Sequence, residues 1–144
     1  MGNKSMLGQV MISEEQLKQR IKELGKQISE DYKGEEILMI GILKGAVLFL
    51  SDLIREIPLD TKIDFMAVTS YGASTKSSGV VRILKDLDSG IEDLNVIIVE
   101  DIIDSGVTLH YLRDYLMGRK PKSLKICVPA CPATYRSSEI SASC

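Results

Sequence analysis

The chain has 144 residues, of which 44% are hydrophobic and 26% are charged, and its formal net charge at pH 7 is -2. This length accommodates one domain with a sizeable core and is too short to favour two. The balanced charge argues against a nucleic-acid or anionic membrane partner, since no strong positive field is present. Apolar runs are shorter than a membrane span and no secretory signal is visible at the N-terminus, so we expect a cytoplasmic protein.

The cysteine pattern argues against two further classes of protein. Cys127, Cys131 and Cys144 form an odd set close to the end of the chain, which does not favour a disulfide framework. Their spacing is irregular and His110, the sole histidine, lies well before them, so a zinc site is not expected. Cys127 is most simply a small buried residue in a strand.

The first predicted element is a helix. Ser13-Glu14-Glu15-Gln16 is a capping box, in which a serine and a glutamine three residues apart satisfy the first free N–H groups. Apolar side chains then recur at intervals of four and three, the spacing of one helix face: Leu17, Ile21, Leu24 and Ile28. The helix is predicted to end near Tyr32, before Gly34.

A buried strand and a second helix follow. The segment Glu36 to Gly41 contains the wholly apolar run Ile37–Ile40, which is typical of a strand covered on both faces. A tight loop, Leu43-Lys44-Gly45, leads into a segment with helical spacing, Ala46 to Ile57. Pro58 stops that helix, because proline lacks the N–H group and clashes with the preceding turn.

The middle of the chain predicts two strands separated by a polar segment. Residues Lys62 to Tyr71 alternate well enough to form a strand, and Val80 to Leu84 form another. Between them, Gly72 to Gly79 is small and polar, which is typical of a flexible loop.

The next elements complete the pattern of an α/β protein. Asn95 to Val99 is a second fully apolar strand, Val107 to Met117 is a helix, Gly118 to Pro121 is a turn, and Leu124 to Val128 begins a third buried strand. Apolar strands that alternate with helices predict an α/β fold with a mostly parallel sheet flanked by helices.

The end of the chain differs from the rest. From Val128 to Cys144 the only charged side chains are Arg136 and Glu139, and no periodicity is visible. We therefore expect a domain over residues 1–127 that is incomplete at its C-terminal end, and an irregular tail over residues 128–144. The abrupt change suggests a truncated or frame-shifted product, a hypothesis that sequencing of the encoding DNA would test.

The segment after the strand Asn95 to Val99 carries the strongest functional signal. The strand ends in Glu100-Asp101, and Asp104 to Thr108 opens the following helix. Ligands in open α/β sheets bind beyond the carboxyl ends of strands. Two hydroxyls, a glycine that permits close approach, and the N-terminus of a helix favour a bound phosphate. The adjacent acids Glu100 and Asp101 suit a ribose cis-diol or Mg²⁺.

A simpler interpretation is that Asp104 or Ser105 only caps the helix while Glu100 and Asp101 are solvated. Capping alone does not account for the whole combination.

Three segments resemble a known family. Glu100 to Thr108 resembles the phosphoribosyl-pyrophosphate (PRPP) motif of type I phosphoribosyltransferases, two acids followed by Asp-Ser/Thr-Gly-x-Thr. Gly41-Ile42-Leu43-Lys44-Gly45 resembles the pyrophosphate loop of the hypoxanthine-guanine branch, and Ser70-Tyr71-Gly72 with Ser77 to Val81 resembles its mobile lid. The resemblance covers residues from about Val10 to Ile126, and it implies the type I phosphoribosyltransferase fold.

The resemblance also implies roles for individual residues. Asp104 would be the general base, and Glu100 and Asp101 would bind the ribose hydroxyls directly or through Mg²⁺. The 5′-phosphate would be held by Ser105, Gly106, Val107 and Thr108. Lys44 and Gly45 would approach the leaving pyrophosphate, although a lone loop lysine is more often a solvated charge, and Ser70 and Tyr71 would contact pyrophosphate from the lid.

The implied activity is Mg²⁺-dependent purine salvage, in which PRPP and hypoxanthine or guanine give IMP or GMP and pyrophosphate. A homodimer or homotetramer is implied as well, because the pyrophosphate loop of the family lies near a subunit contact.

The purine-reading lysine and aromatic residue of the family have no match here, and Tyr135 lies in no matching motif. An alternative is therefore a catalytically weak protein that binds PRPP or a nucleotide. A third, an RNA-binding regulator, is disfavoured by the lack of a basic patch.

Overall fold

The computed structural model of the chain describes residues 13–70, 81–100 and 107–129. These ranges contain three helices, α1 (Glu14–Asp31), α2 (Val47–Ile54) and α3 (Val107–Met117), and five strands, β1 (Ile37–Leu43), β2 (Thr61–Ser70), β3 (Val81–Lys85), β4 (Asn95–Val99) and β5 (Ser123–Cys127). None of these three helices is long and apolar enough to cross a membrane. The predicted loop at residues 72–79 and the predicted tail from residue 130 onward lie outside the described residues.

Helix α1 begins at the predicted capping box. The Ser13 side chain accepts a hydrogen bond from the Gln16 N–H group at 3.0 Å, and the Gln16 side chain accepts one from the Ser13 N–H group at 2.9 Å. The helix ends at Asp31, and Gly34 then adopts a φ of 82°, a left-handed conformation that glycine enters at little cost. Both predicted ends of the helix are confirmed.

The five strands form one sheet in the order β3-β2-β1-β4-β5. The pairs β1–β2, β1–β4 and β4–β5 are parallel, and only β3 runs antiparallel, beside β2. The mostly parallel sheet of an α/β fold is therefore confirmed.

Helices cover both faces of this sheet. Ile37 and Met39 of β1 pack into one buried cluster with α1 and α2, whereas Leu38, Ile40 and Ile42 pack into a second cluster with α3. Strand side chains alternate between faces, so a strand covered on both sides needs apolar residues at every position. This explains the uninterrupted apolar runs in β1 and β4.

Two element boundaries differ from the predictions by more than one residue. Strand β1 continues through Leu43, beyond the predicted end at Gly41, because Ile42 is buried in the second cluster and pairs with Met66 of β2. Helix α2 is shorter than predicted. After Ile54 the chain makes tighter turns, in which the Ile57 N–H group donates to the Ile54 carbonyl at 3.2 Å.

Candidate functional site

We use the word crevice for the space beyond the carboxyl ends of β1 and β4, which are neighbours in the sheet. The chain leaves β1 toward α2, whose Phe49 and Leu53 pack on the first face of the sheet. It leaves β4 toward α3, whose Leu112 and Leu116 pack on the opposite face. Because the helices that follow these neighbouring strands pack on opposite faces, the space beyond the two strand ends is a topological switch point, where ligands bind in open α/β sheets.

The loop after β1 forms one side of the crevice. Lys44 and Gly45 are exposed, and the Leu43–Lys44 peptide bond is cis. The Ala46 N–H group donates to the Ile42 carbonyl and the Val47 N–H group to the Lys44 carbonyl, both at 3.2 Å. Local hydrogen bonds thus define the turn, and Lys44 lies exposed at the edge of the sheet.

The end of β4 forms the other side of the crevice. Glu100 is half-buried, and its N–H group donates to the Cys127 carbonyl at 3.1 Å, which continues the β4–β5 pairing by one residue. The sheet itself therefore determines where the Glu100 backbone lies. The predicted site residues Asp101, Asp104, Ser105 and Gly106 lie outside the described residues, so their roles stay predictions.

Helix α3 points its N-terminus at the same edge. At its far end the Asp93 N–H group donates to the Lys120 carbonyl at 2.9 Å, and the Lys122 N–H group donates to the Leu94 carbonyl at 2.7 Å. These bonds place the C-terminal end of α3 beside the start of β4. The 11-residue helix spans about 16 Å, which brings its first turn, with Val107 and Thr108, to the carboxyl edge. Free N–H groups at a helix start favour an anion.

The structure places one further predicted residue at this edge. Ser70 is the last residue of β2, and β2 runs parallel to β1. Ser70 therefore lies at the same edge of the sheet as the loop that contains Lys44. Tyr71 lies outside the described residues. Of the predicted site, the described part is brought together at one edge: Lys44, Gly45, Ser70, Glu100, Val107 and Thr108.

A polar cluster that no motif indicated lies against the second half of α3. We call it the Asp86 cluster; it consists of Asp86, Tyr115 and Arg119. The Tyr115 hydroxyl donates to Asp86 Oδ2 at 2.5 Å, and an Arg119 Nη atom lies 2.6 Å from both Asp86 Oδ2 and the Tyr115 oxygen. The Arg119 guanidinium also stacks over the Tyr115 ring, 4.7 Å from its centre. Asp86 lies 29 residues before Tyr115, so no local spacing connects it to Tyr115 and Arg119.

The hydrogen bonds of the Asp86 cluster shift the ionisation of its members. Burial by itself raises the pKa of Asp86, but the hydrogen bonds from Tyr115, Arg119 and the Leu87 N–H group outweigh it and lower that pKa. The bond to Asp86, followed by burial, raises the pKa of Tyr115, and the bond to Asp86 raises the pKa of Arg119. Charge-assisted bonds of this kind favour the ionised carboxylate.

The structure also describes two residues outside the predicted site, Cys127 and His110. Cys127 is fully buried in the first cluster, and burial raises the pKa of its thiol to about 12, so it is a core residue rather than a nucleophile. His110 is exposed in the first turns of α3. Within the described ranges, no three side chains of histidine, cysteine, aspartate or glutamate converge as metal ligands do.

Comparison with known proteins decides the family of the chain. Residues 11–141 match the model of the phosphoribosyl transferase domain. The chain belongs to the phosphoribosyltransferase family. It is 55% identical over 124 residues to a hypoxanthine-guanine phosphoribosyltransferase of Mycobacterium tuberculosis, an alignment that covers 82% of this chain and 61% of that protein. The predicted resemblance to the hypoxanthine-guanine branch is thereby confirmed.

Solved structures of phosphoribosyltransferases show the same architecture. A hypoxanthine-guanine phosphoribosyltransferase of Bacillus anthracis is 48% identical with a TM-score of 0.83, covering 93% of this chain and 79% of that one. A hypoxanthine phosphoribosyltransferase of Staphylococcus aureus is 42% identical with a TM-score of 0.84, covering 94% and 73%. The type I phosphoribosyltransferase fold is confirmed, and this chain spans about three fifths of the length of the mycobacterial relative.

Proposed function

We propose that this phosphoribosyltransferase works in purine salvage, transferring the 5-phosphoribosyl group of PRPP to hypoxanthine or guanine and giving IMP or GMP with pyrophosphate. The observation that carries the proposal is the crevice between β1 and β4. A lysine loop, the carboxylate of Glu100 and the start of α3 meet there at one edge of the sheet. The hypoxanthine-guanine relatives support this choice of substrates.

The two sides of the crevice suit the two ends of PRPP. The Lys44 ammonium is a compact cation that can stabilise the departing pyrophosphate as negative charge develops on it. Across the crevice, the N-terminal turn of α3 offers N–H groups and the Thr108 hydroxyl to the 5′-phosphate. The ribose then lies between these ends, where the Glu100 and Asp101 carboxylates accept hydrogen bonds from its hydroxyls.

The chemical step needs a base. As purine N9 attacks the ribose carbon and pyrophosphate leaves, the purine loses a proton, which Asp104 is placed by the motif to accept. A positioned carboxylate contributes about 10²–10⁴-fold in such a role. The reacting carbon resembles an oxocarbenium ion that water would trap, so excluding solvent from the crevice protects the reaction.

Mg²⁺ is the cofactor of this proposal. The half-buried carboxylate of Glu100 and its neighbour Asp101 provide the oxygen donors that Mg²⁺ prefers, beside the position proposed for the ribose. When bound, the ion would neutralise charge on PRPP. The residues present fit such an ion as one or two carboxylate ligands completed by substrate and water.

We also propose an oligomeric state and a cellular compartment for this chain. We expect a homodimer or homotetramer, since Val47 and Leu48, directly after the Lys44 loop, are 38% and 78% exposed on the outer side of α2. The net charge of -2 gives no basis for nucleic-acid binding. PRPP and free purine bases are cytoplasmic metabolites, and we place the enzyme in that compartment.

The decisive experiment measures nucleotide formation by the 144-residue chain from PRPP with hypoxanthine and then guanine, with and without Mg²⁺. Asp104→Asn removes the proposed base, and Asp114→Asn makes the same chemical change at an exposed position of α3. We expect Mg²⁺-dependent product that falls about tenfold or more in Asp104→Asn and stays unchanged in Asp114→Asn.

A different outcome would separate the two alternatives. A folded chain that binds PRPP but forms no nucleotide would favour the catalytically weak binding protein. A folded chain that neither binds PRPP nor forms product would refute the proposed function altogether.

A further inference from the structure

The position of α3 along its own axis decides where its first turn meets a substrate. Apolar contacts hold the helix on the sheet through Leu109, Leu112 and Leu116, which are 4%, 0% and 0% exposed. Such contacts are strong but non-directional, so they resist separation more than they resist small sliding or rotation. A directional contact is needed to fix the helix in both respects.

The Asp86 cluster provides such a contact on the helix itself, whereas the backbone bonds of Lys120 and Lys122 hold the chain that follows it. Its bonds of 2.5 and 2.6 Å join Tyr115, in the second half of α3, and Arg119, just past the end of that helix, to the connection that follows β3. This connection crosses the same face of the sheet, where Leu87 and Ile91 pack into the second cluster beside α3. The helix is thus tied sideways to a neighbouring segment by charged hydrogen bonds, which depend strongly on distance and angle.

Asp86 is itself held firmly by the sheet. The Lys85 ammonium donates to the Phe65 carbonyl of β2 at 3.1 Å and to the Asp86 carbonyl at 2.9 Å. The Asp88 N–H group donates to Asp64 Oδ2 at 2.9 Å, and the Asp64 carboxylate lies 3.7 Å from Lys85. A continuous polar network therefore runs from β2 through residues 85–88 to α3.

We propose that Asp86, Tyr115 and Arg119 are positioning residues for the phosphate end of the site, holding the first turn of α3 at a fixed place on the carboxyl edge. Tyr115 lies seven residues after Thr108, two turns along the helix and on the same side, about 10 Å away. A rigid helix transmits a displacement at Tyr115 directly to Thr108. The inference rests on the proposed function, because it assigns the cluster to the 5′-phosphate of PRPP.

The test uses two conservative variants and a matched control in the full chain. Tyr115→Phe removes one hydroxyl and keeps the ring under Arg119, and Asp86→Asn keeps the shape of the side chain. Tyr111→Phe is the control, a tyrosine on the same helix whose ring lies 6.0 Å from that of Tyr115 and outside the Asp86 cluster. Each variant is measured for steady-state kinetics with PRPP and for amide hydrogen exchange along α3.

We expect both cluster variants to raise KM for PRPP about fivefold at saturating purine, since small misplacements of binding groups have large effects. We expect kcat to change less than about twofold, because the reacting carbon is not contacted. Exchange should become faster in the first half of α3, and Tyr111→Phe should change neither quantity. The effect of the double variant should be smaller than the sum of the two single effects, since both substitutions act on the bond between Tyr115 and Asp86.

Three results would overturn the inference, and they are distinguishable. Unchanged exchange in the first half of α3 would show that the cluster does not position it, whether or not the chain is active. Faster exchange with an unchanged KM for PRPP would show that the positioning does not reach the substrate. A wild-type chain that does not bind PRPP would refute the proposed function, and the role assigned to the cluster would fall with it.

Discussion

Gly25, in the middle of α1, lies against the turn that follows α2. A methyl group added there would lie 2.5 Å from the Glu56 Cβ atom, 2.9 Å from the Glu56 carbonyl oxygen and 3.2 Å from its carbonyl carbon. Carbon atoms pack at about 3.5–4.0 Å, so α1 and this turn would have to separate by about 1 Å. The obstacle is largely backbone, which cannot rotate aside as a side chain can.

Two opposing effects decide the stability of Gly25→Ala. Alanine stabilises a helix interior by about 1 kcal/mol relative to glycine. Overpacking a tight contact costs about 1–3 kcal/mol, and a rigid backbone neighbour favours the upper end of this range. We therefore expect the free energy of unfolding to fall by about 2 kcal/mol. For a domain of this size that corresponds to a decrease in Tm of about 8 °C.

Urea and thermal unfolding followed by circular dichroism at 222 nm would measure this change. Gly118→Ala is the matched control, because its added methyl would lie 3.4 Å from the Tyr115 carbonyl oxygen and 3.7 Å from that of Asp114, which are ordinary contacts. We expect it to leave stability unchanged or to raise it by about 0.5 kcal/mol. A Gly25→Ala variant as stable as the wild type would show that propensity outweighs the contact and would refute the reasoning.

Three further predictions follow from other parts of the structure. The folded-state pKa of Asp86 lies below its ordinary value of 3.8, so its ionised form stabilises the fold above that value. The difference in free energy of unfolding between the wild type and Asp86→Asn, measured in urea, should therefore shrink as pH falls below about 4. A difference that widens there would contradict the assignment. In the native chain, Cys127 should react with iodoacetamide at pH 8 at least about tenfold more slowly than in urea, because its buried thiol has a pKa of about 12. Mass spectrometry of the peptide that contains Cys127 follows the labelling, and equal rates in the two conditions would argue against that burial. Leu48→Asp should reduce the molar mass of the oligomer measured by sedimentation, whereas Leu84→Asp, at a 63% exposed position on β3, should not. An unchanged molar mass in both variants would exclude the outer side of α2 as an interface.

The elements most visible in the sequence are those with the strongest local signals. β4 and α3 have the predicted bounds, Asn95–Val99 and Val107–Met117, because an uninterrupted apolar run and a clear helical period each end at polar or glycine residues. The end of β1 was less visible. Gly41 interrupts its apolar run, and the pairing of Ile42 with Met66 and of Leu43 with Ala67 shows that the strand continues.

Some residues of the candidate site were likewise visible in the sequence and others were not. The acidic motif and the lysine loop are contiguous in sequence, so their residue types alone indicated where they would lie. The Asp86 cluster joins a residue after β3 to Tyr115 in α3 and Arg119 just after it, and no local pattern connects them. The residues proposed to touch the substrate are therefore visible in the sequence, whereas those proposed to position them are brought together only by the fold.

The strand order also has a consequence for synthesis of the protein. Strands β1, β2 and β3 are consecutive in the chain and adjacent in the sheet, so they can pair as soon as they leave the ribosome. Strand β4 pairs with β1 on its opposite edge, which stays open until the ribosome has passed residue 99. The proposed substrate crevice therefore arises late, in one step of long-range pairing, and nascent chains should expose one unpaired edge of β1 until then.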